Sequence, residues 1–176
     1  MRRLLLIIAL VTLSLGGWLA WSWLGPGPDL PAPANPNARA DHILIEKSAR
    51  RLTAFRDGQV LFATDIALGF APTGDKRQEG DGKTPEGTFL IDRKNPNSRF
   101  HLSLGIDYPQ PDDIDRARAQ GISPGGDIFI HGQPNELASI ITLPGDWTAG
   151  CIAVSNDEIE TLWAITRIGT AVEIRP

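Results

Sequence analysis

The chain has 176 residues, 41% of them hydrophobic and 22% charged, which suits one globular domain with an ordinary core. Its formal net charge is −4; setting aside Arg2 and Arg3 leaves 15 basic against 21 acidic residues, a balance of −6. Such a chain offers no electrostatic footprint for nucleic acid and argues against polyanionic substrates.

At the front, Arg2 and Arg3 precede an apolar run from Leu4 to Leu24, interrupted by Thr12, Ser14, Ser22 and small glycines. A helix of about 20 residues spans a bilayer core of about 30 Å, so residues 1–24 are expected to form one N-terminal transmembrane helix. Two readings compete for this segment. Trp18, Trp21 and Trp23 fit a membrane interface better than the small-residue exit of a signal peptide, which favours an uncleaved anchor. Cleavage and release is the alternative; either way the rest of the chain is expected outside the cytoplasm. Residues 25–40 carry Pro26, Pro28, Pro31, Pro33 and Pro36, too many missing amide donors for helix or central strand, and read as a semi-rigid linker to a domain over 41–176.

Strand patterning dominates that domain. Leu52–Arg56 and the alternating Val60, Phe62, Thr64, Ile66 and Leu68 are joined by Asp57-Gly58, a dipeptide suited to a tight hairpin turn. Short strands are expected at 89–91, 100–104, 128–131 and 170–174, separated by Gly, Pro and Asn clusters. Two helices are expected: a polar one from Asp112 to Gln120 closed by Gly121, and one opened by Ser155 with Glu158 three residues on, a capping box ahead of Ile159, Leu162 and Trp163. Periodicity alone therefore indicates a small, mostly β domain.

The single cysteine, Cys151, cannot form an intrachain disulfide. It is a buried filler, a leftover thiol or a catalyst, and its setting favours the last. Gly150 before it permits close backbone approach, and His131-Gly132 ends an apolar run twenty residues upstream. A neighbouring imidazole lowers a thiol's pKa by stabilising the ion pair, so His131 is the candidate base and Cys151 the nucleophile. Backbone N–H groups of Cys151 and of Gly150 or Ala149 are candidates to hold a developing oxyanion. No metal is expected: His42, His101 and Cys151 lack ligand-like spacing and no second cysteine exists. The stretch Gly80–Gly87 lacks the Gly-Lys-Ser/Thr ending of a phosphate loop, so no nucleotide cofactor is expected either; Asp81 and Thr84 read as residues bonding their own turn. Trp147 and Tyr108 read as groove-lining or core, and the loop Gln133–Gly145 as a substrate cover or a packed segment.

Three blocks taken together resemble the L,D-transpeptidase (YkuD-type) catalytic domain. They are His131-Gly132 with Thr148-x-Gly150-Cys151 and Asn156; the glycine-rich run through Gly69, Gly74, Lys76 and Gly80–Phe89; and Ile106-Asp107-Tyr108-Pro109. The resemblance covers nearly all of 41–176. It implies a β-sandwich-like core of mixed sheets with minor helices, a cysteine acyl transferase acting on peptidoglycan stem peptides through a thioester on Cys151, and the Gly132 carbonyl as orienter of His131. It also implies a periplasmic location, tethered to the inner membrane or released into the periplasm, and no metal or cofactor. Where the commonest family pattern has histidine and arginine, this chain has Ala149 and Ala153. Its Asp146-Trp147-Thr148-x-Gly150-Cys151 is similar to a sub-branch that includes both cross-linking enzymes and enzymes releasing a wall-linked lipoprotein. Hydrolysis, as L,D-carboxypeptidase or lipoprotein release, is therefore the alternative within the enzyme class, and a non-catalytic wall-binding module the alternative outside it.

Overall fold

The computed structural model describes residues 38–136 and 141–176. The expected anchor, all but the last residues of the linker, and the middle of the Gln133–Gly145 loop lie outside them. Among the described residues no helix is long and apolar enough to cross a membrane.

Strands β1 (His42–Glu46), β2 (Arg51–Arg56) and β3 (Gln59–Asp65) come first, then β4 (Gly87–Ser98) and β5 (His101–Ile106). Helix α1 (Pro111–Ala119), β6 (Phe129–His131), β7 (Ile152–Ala153), α2 (Asn156–Ile165) and β8 (Ala171–Arg175) complete the chain. The strands lie side by side in the order β3-β2-β1-β8-β4-β5-β6-β7. β1 runs parallel to β8 and β6 parallel to β7, while the other pairs are antiparallel, giving the mixed β architecture with two short helices.

Local chemistry accounts for most boundaries. Asp57 and Gly58 have φ of 50° and 75°, the left-handed pair that a two-residue hairpin turn requires, and they join β2 to β3. At α2, Ser155 Oγ accepts from the Glu158 amide at 3.3 Å while Glu158 Oε2 accepts from the Ser155 amide at 2.7 Å, the capping box read in the sequence. Two features differ from expectation. β1 is an additional strand in the middle of the sheet, and β4 runs through Asn95, Pro96 and Asn97 to Ser98 rather than stopping at Ile91. Pro96 is tolerated because the β4–β5 register shifts between Asn95 and Ser98, where no ladder amide is demanded.

The length of β4 has an architectural use. Its first third, Gly87–Leu90, pairs with β8, and from Ile91 onward it pairs with β5, so one strand serves two half-sheets. Ile43, Ile45, Leu52, Ile91, Leu104, Ile106, Ile130, Ile152 and Val172, with Ile159 and Leu162 of α2, form one fully buried core. Burying each such side chain contributes about 1.5–3 kcal/mol against exposure. Beyond β3 the chain crosses to β7: the amides of Ala67 and Ala153 each donate to the other's carbonyl at 2.8 Å. The two-residue strand that follows Cys151 is thus flanked on both sides, by β6 and by the continuation of β3.

Candidate active site

His131 is the last residue of β6 and is buried. Its Nδ1 lies 2.7 Å from the Gly132 carbonyl. A carbonyl only accepts, so Nδ1 carries the proton and Nε2 is left free to accept one. The ring is held between two aromatic neighbours, tilted against Phe100 at 4.5 Å between centroids and edge-on to Trp147 at 5.7 Å. Gly132 has no room for a side chain: a Cβ there would stand 2.6 Å from Asn156 Oδ1 and 3.0 Å from Ile159 Cγ2. Asn156 Oδ1 accepts the Gln133 amide at 2.9 Å, so the first turn of α2 braces the backbone that leaves the histidine.

The turn before Cys151 is built by Asp146 and Thr148. Asp146 takes a two-pronged contact from Arg50 (Nε to Oδ1 at 3.2 Å, Nη2 to Oδ2 at 2.7 Å) and accepts the Leu68 amide at 2.9 Å. Thr148 Oγ1 donates to the Cys151 carbonyl at 2.7 Å and accepts the Gly150 amide at 3.1 Å. That second bond corrects the expectation for Gly150. Its N–H is already satisfied inside the turn, which leaves Cys151 and Ala149 as the amides to consider for an oxyanion. Gly150 is required for shape instead: its φ is 133°, and a Cβ would stand 2.7 Å from the Lys83 carbonyl oxygen.

The glycine-rich segment is the wall against which this turn is pressed. A Cβ at Gly69 would stand 2.1 Å from the Gly82 oxygen and 3.0 Å from Gly150 Cα, so three stretches of backbone meet with no side chain between them. Two buried lysines fix the segment from within. Lys47 Nζ donates to the Gly74 and Thr84 carbonyls at 2.7 and 2.9 Å and to Glu86 Oε1 at 2.8 Å. Lys76 Nζ donates to Asp81 Oδ1 at 2.9 Å. Burial pushes the Asp81 carboxyl up, but the Lys76 ammonium and the amides of Arg77, Lys83 and Gln78 outweigh it and hold the group at about 2. Asp81 thus bonds its own turn as expected, whereas Thr84 reaches further and its hydroxyl accepts the Gly69 amide at 3.3 Å.

The Cys151 thiol is partly exposed and donates a long contact, 3.5 Å, to the carbonyl of Asp127, a non-glycine residue at φ 54°. It stands where two cavities meet. One, of about 390 Å³, is lined by Cys151 and His131 together with Asn95, Arg99, Phe100 and Ser103; the other, of about 450 Å³, by Cys151 with Lys76, Glu79, Gly126 and Ala149. Burial pushes the thiol's pKa up, assisted by the Asp127 carboxylate and opposed by the Phe129 backbone and Lys76. Burial likewise pushes the imidazole's pKa down, partly offset by its bond to Gly132. Burial thus acts against the expected imidazole-stabilised thiolate, raising the thiol's pKa and lowering the imidazole's.

Tyr108 belongs to the core, 4% exposed, with its hydroxyl donating to the Pro124 carbonyl at 3.0 Å. Trp147 backs the imidazole. Phe100, Asp127 and Asn135 were not singled out by the sequence: they lie in turns, and only the fold brings them to His131 and Cys151. Among the described residues no group of three or more His, Cys, Asp or Glu side chains is placed to hold a metal ion.

Comparison with known proteins follows the same blocks. The YkuD family model, described as the L,D-transpeptidase catalytic domain, matches residues 40–174. YafK of Escherichia coli (strain K12), provisionally named as an L,D-transpeptidase, is 29% identical over 128 residues, 69% of this chain and 45% of YafK. The helical cell shape determining protein Pgp2 from Campylobacter jejuni superposes with a TM-score of 0.59 at 29% identity, over 79% of this chain and 48% of that one. Bdellovibrio bacteriovorus Bd1075 superposes at 0.56 with 24% identity, over 82% and 50%, a likeness of fold. The chain thus spans about half the length of these relatives.

Proposed function

Because this chain belongs to the YkuD family of L,D-transpeptidase catalytic domains, we propose that it is a cysteine acyl transferase of peptidoglycan stem peptides. The observation that carries the reading is the shared cavity: Cys151 and His131 line one wall, and the Gly132 carbonyl holds Nδ1 so that Nε2 is the proton acceptor. In the first half-reaction Sγ attacks the carbonyl carbon between the L-centre of a diamino acid and a terminal D-residue. Its proton passes to His131 Nε2, and the oxyanion forms beside the amides of Cys151 and Ala149. Collapse breaks the C–N bond, and the leaving amine takes the proton from Nε2. A thioester remains. An amine or water then attacks it, gives its proton to Nε2 and expels the thiolate, which recovers that proton. One amide is exchanged for another through a thioester, so the chemistry draws on no nucleotide.

Hydrolysis or release is the second reading, favoured by Ala149. This residue is exposed and lines the second cavity beside Cys151, where its methyl offers nothing to orient or deprotonate an incoming amine. A mixture of muropeptides and lipoprotein-linked muropeptides, treated with the full-length protein in detergent and resolved by mass, should yield mainly trimmed or released product. Ala149→His should shift the ratio toward cross-linked dimer. Efficient dimer formation by the unaltered protein, indifferent to the substitution, would mean that the acceptor is handled elsewhere in that cavity, where Asp127 and Glu79 are the carboxylates to consider.

The location is part of the proposal. Residues 1–24 anchor the chain in the inner membrane, 25–40 tether it and 41–176 work in the periplasm, with a role in cell shape suggested by the likeness to the Campylobacter protein. Apolar burial is not screened by salt, so the protein should stay in membranes through high-salt washing with Trp18, Trp21 and Trp23 retained. A native N-terminus near residues 21–26 would establish signal cleavage instead.

A further inference from the structure

Several cations around the site are tied down among the described residues. Arg93 holds Asp92 and Asp127, Lys76 holds Asp81, and Arg50 holds Asp146. Arg99 lines the cavity that Cys151 and His131 share, yet its exposed guanidinium makes no hydrogen bond or ion pair among the described residues. Its backbone, by contrast, is fixed. The Asn135 amide donates to the Arg99 carbonyl at 3.0 Å, Asn135 Nδ2 donates to the Ser98 carbonyl at 3.0 Å, and Asn135 Oδ1 accepts the His101 amide at 2.8 Å. One residue just beyond His131-Gly132 therefore clamps the Arg99-Phe100 turn between β4 and β5. Phe100 in turn lies against the imidazole. A free guanidinium stands on a stem registered to the catalytic histidine, and Asp127, the carboxylate lining the same cavity, is occupied by Arg93 at 2.9 Å.

We propose that Arg99 is a specificity residue that binds the free α-carboxylate of the leaving D-residue in the acyl donor. The inference rests on the acyl-transfer reading above. His131 must return its proton to the leaving amine, so the leaving residue occupies the cavity that holds both His131 and Cys151. Its α-carboxylate is two bonds from that amine, within about 4 Å by covalent geometry, and so falls in the same cavity. A planar guanidinium matches a carboxylate with two parallel hydrogen bonds, and Asp127, the acid that lines the cavity, is already paired with Arg93. A donor extended by a further residue, or capped as an amide, carries no charge at that place. The protein therefore selects stems that end one residue past the scissile bond.

The test is steady-state kinetics of the full-length protein in detergent on two tetrapeptide stems, one with a free C-terminal carboxylate and one with a carboxamide. The wild type should prefer the acid by about 10- to 100-fold in kcat/KM, the range for a charge-assisted contact. Arg99→Ala should lose that factor on the acid and keep the wild-type rate on the amide. Arg99→Lys should keep part of the preference, because an ammonium supplies charge without the fork. Alkylation of Cys151 by iodoacetamide should be the same in Arg99→Ala as in wild type, since the variant leaves the thiol and imidazole in place. Equal losses on acid and amide, or none on either, would overturn the assignment. Wild-type turnover of both peptides at one rate would do the same while leaving acyl transfer standing; no wild-type turnover of either would overturn acyl transfer itself.

Discussion

Cys151→Ala is expected to abolish product formation from stem peptides while leaving the domain folded. The thiol is partly exposed, and its polar contacts among the described residues are weak backbone ones, the 3.5 Å approach to the Asp127 carbonyl and the Phe129 backbone. Removing the sulfur should cost about 1 kcal/mol at most, a shift of about 2–4 °C in the thermal midpoint of a chain this size. The chemical loss is of another order, because the thioester has no other atom on which to form. The cavity also holds the hydroxyls of Ser98 and Ser103, and Ser103 is buried on β5 and pairs with His131 across the ladder. Product mass spectra together with the intact-protein mass separate the cases. A wild-type acyl adduct that disappears in Cys151→Ala carries the proposal. Product retained by the variant would transfer the nucleophile's role to Ser103 or end the enzymatic reading.

What the sequence made legible, and what it hid, divides along physical lines. The Asp57-Gly58 hairpin and the Ser155–Glu158 capping box were readable because each is decided by residues within four positions of one another. β1 was hidden because the apolar run Ile43-Leu44-Ile45 between the polar His42 and Glu46 is too short to stand out until β2 and β8 flank it. The second part of β4 reads as polar turn because Asp92 to Ser98 holds no apolar side chain but Pro96, and Arg93 and Lys94 are half-buried through Phe129 and Trp163, contacts that only the fold supplies. In the site, Cys151 and His131 are adjacent to glycines whose cause is visible only in three dimensions: Gly150 is bare because it presses on the Lys83 carbonyl and on Gly69, and Gly132 because it presses on Asn156. The Gly150 amide shows the reverse failure. Its position beside the thiol suggested an oxyanion donor, but the Thr148 hydroxyl two residues earlier takes that amide. Asn135 and Arg99 act through turn geometry and long-range contacts that no local spacing encodes.

His131→Ala should cut kcat/KM by about 100- to 10,000-fold, the range for losing general base catalysis, and the pH profile should identify the cause. Burial holds the imidazole below its ordinary value of 6.5, with the bond to the Gly132 carbonyl partly offsetting the effect. The working form needs that imidazole neutral. In the wild type the rate should therefore rise with pH along an acid limb centred below 6.5, then stay level through neutrality. Burial also places the thiol's titration above its ordinary value of 9.0, so the level region is that of a neutral thiol and a neutral imidazole rather than of a preformed ion pair. With His131 removed the acid limb should vanish, and the residual rate should climb about tenfold per pH unit through neutrality, because only the free thiolate remains to attack. Added imidazole should restore part of the activity by entering the space between Phe100 and Trp147 that the ring vacates. A purely structural role for the histidine would lower the rate and leave the acid limb in place. Should the variant keep that limb, or the wild type alkylate at neutral pH as a low-pKa thiolate, the neutral dyad would be wrong and the proton acceptor would have to be sought among the other groups facing the thiol, Asp127 first.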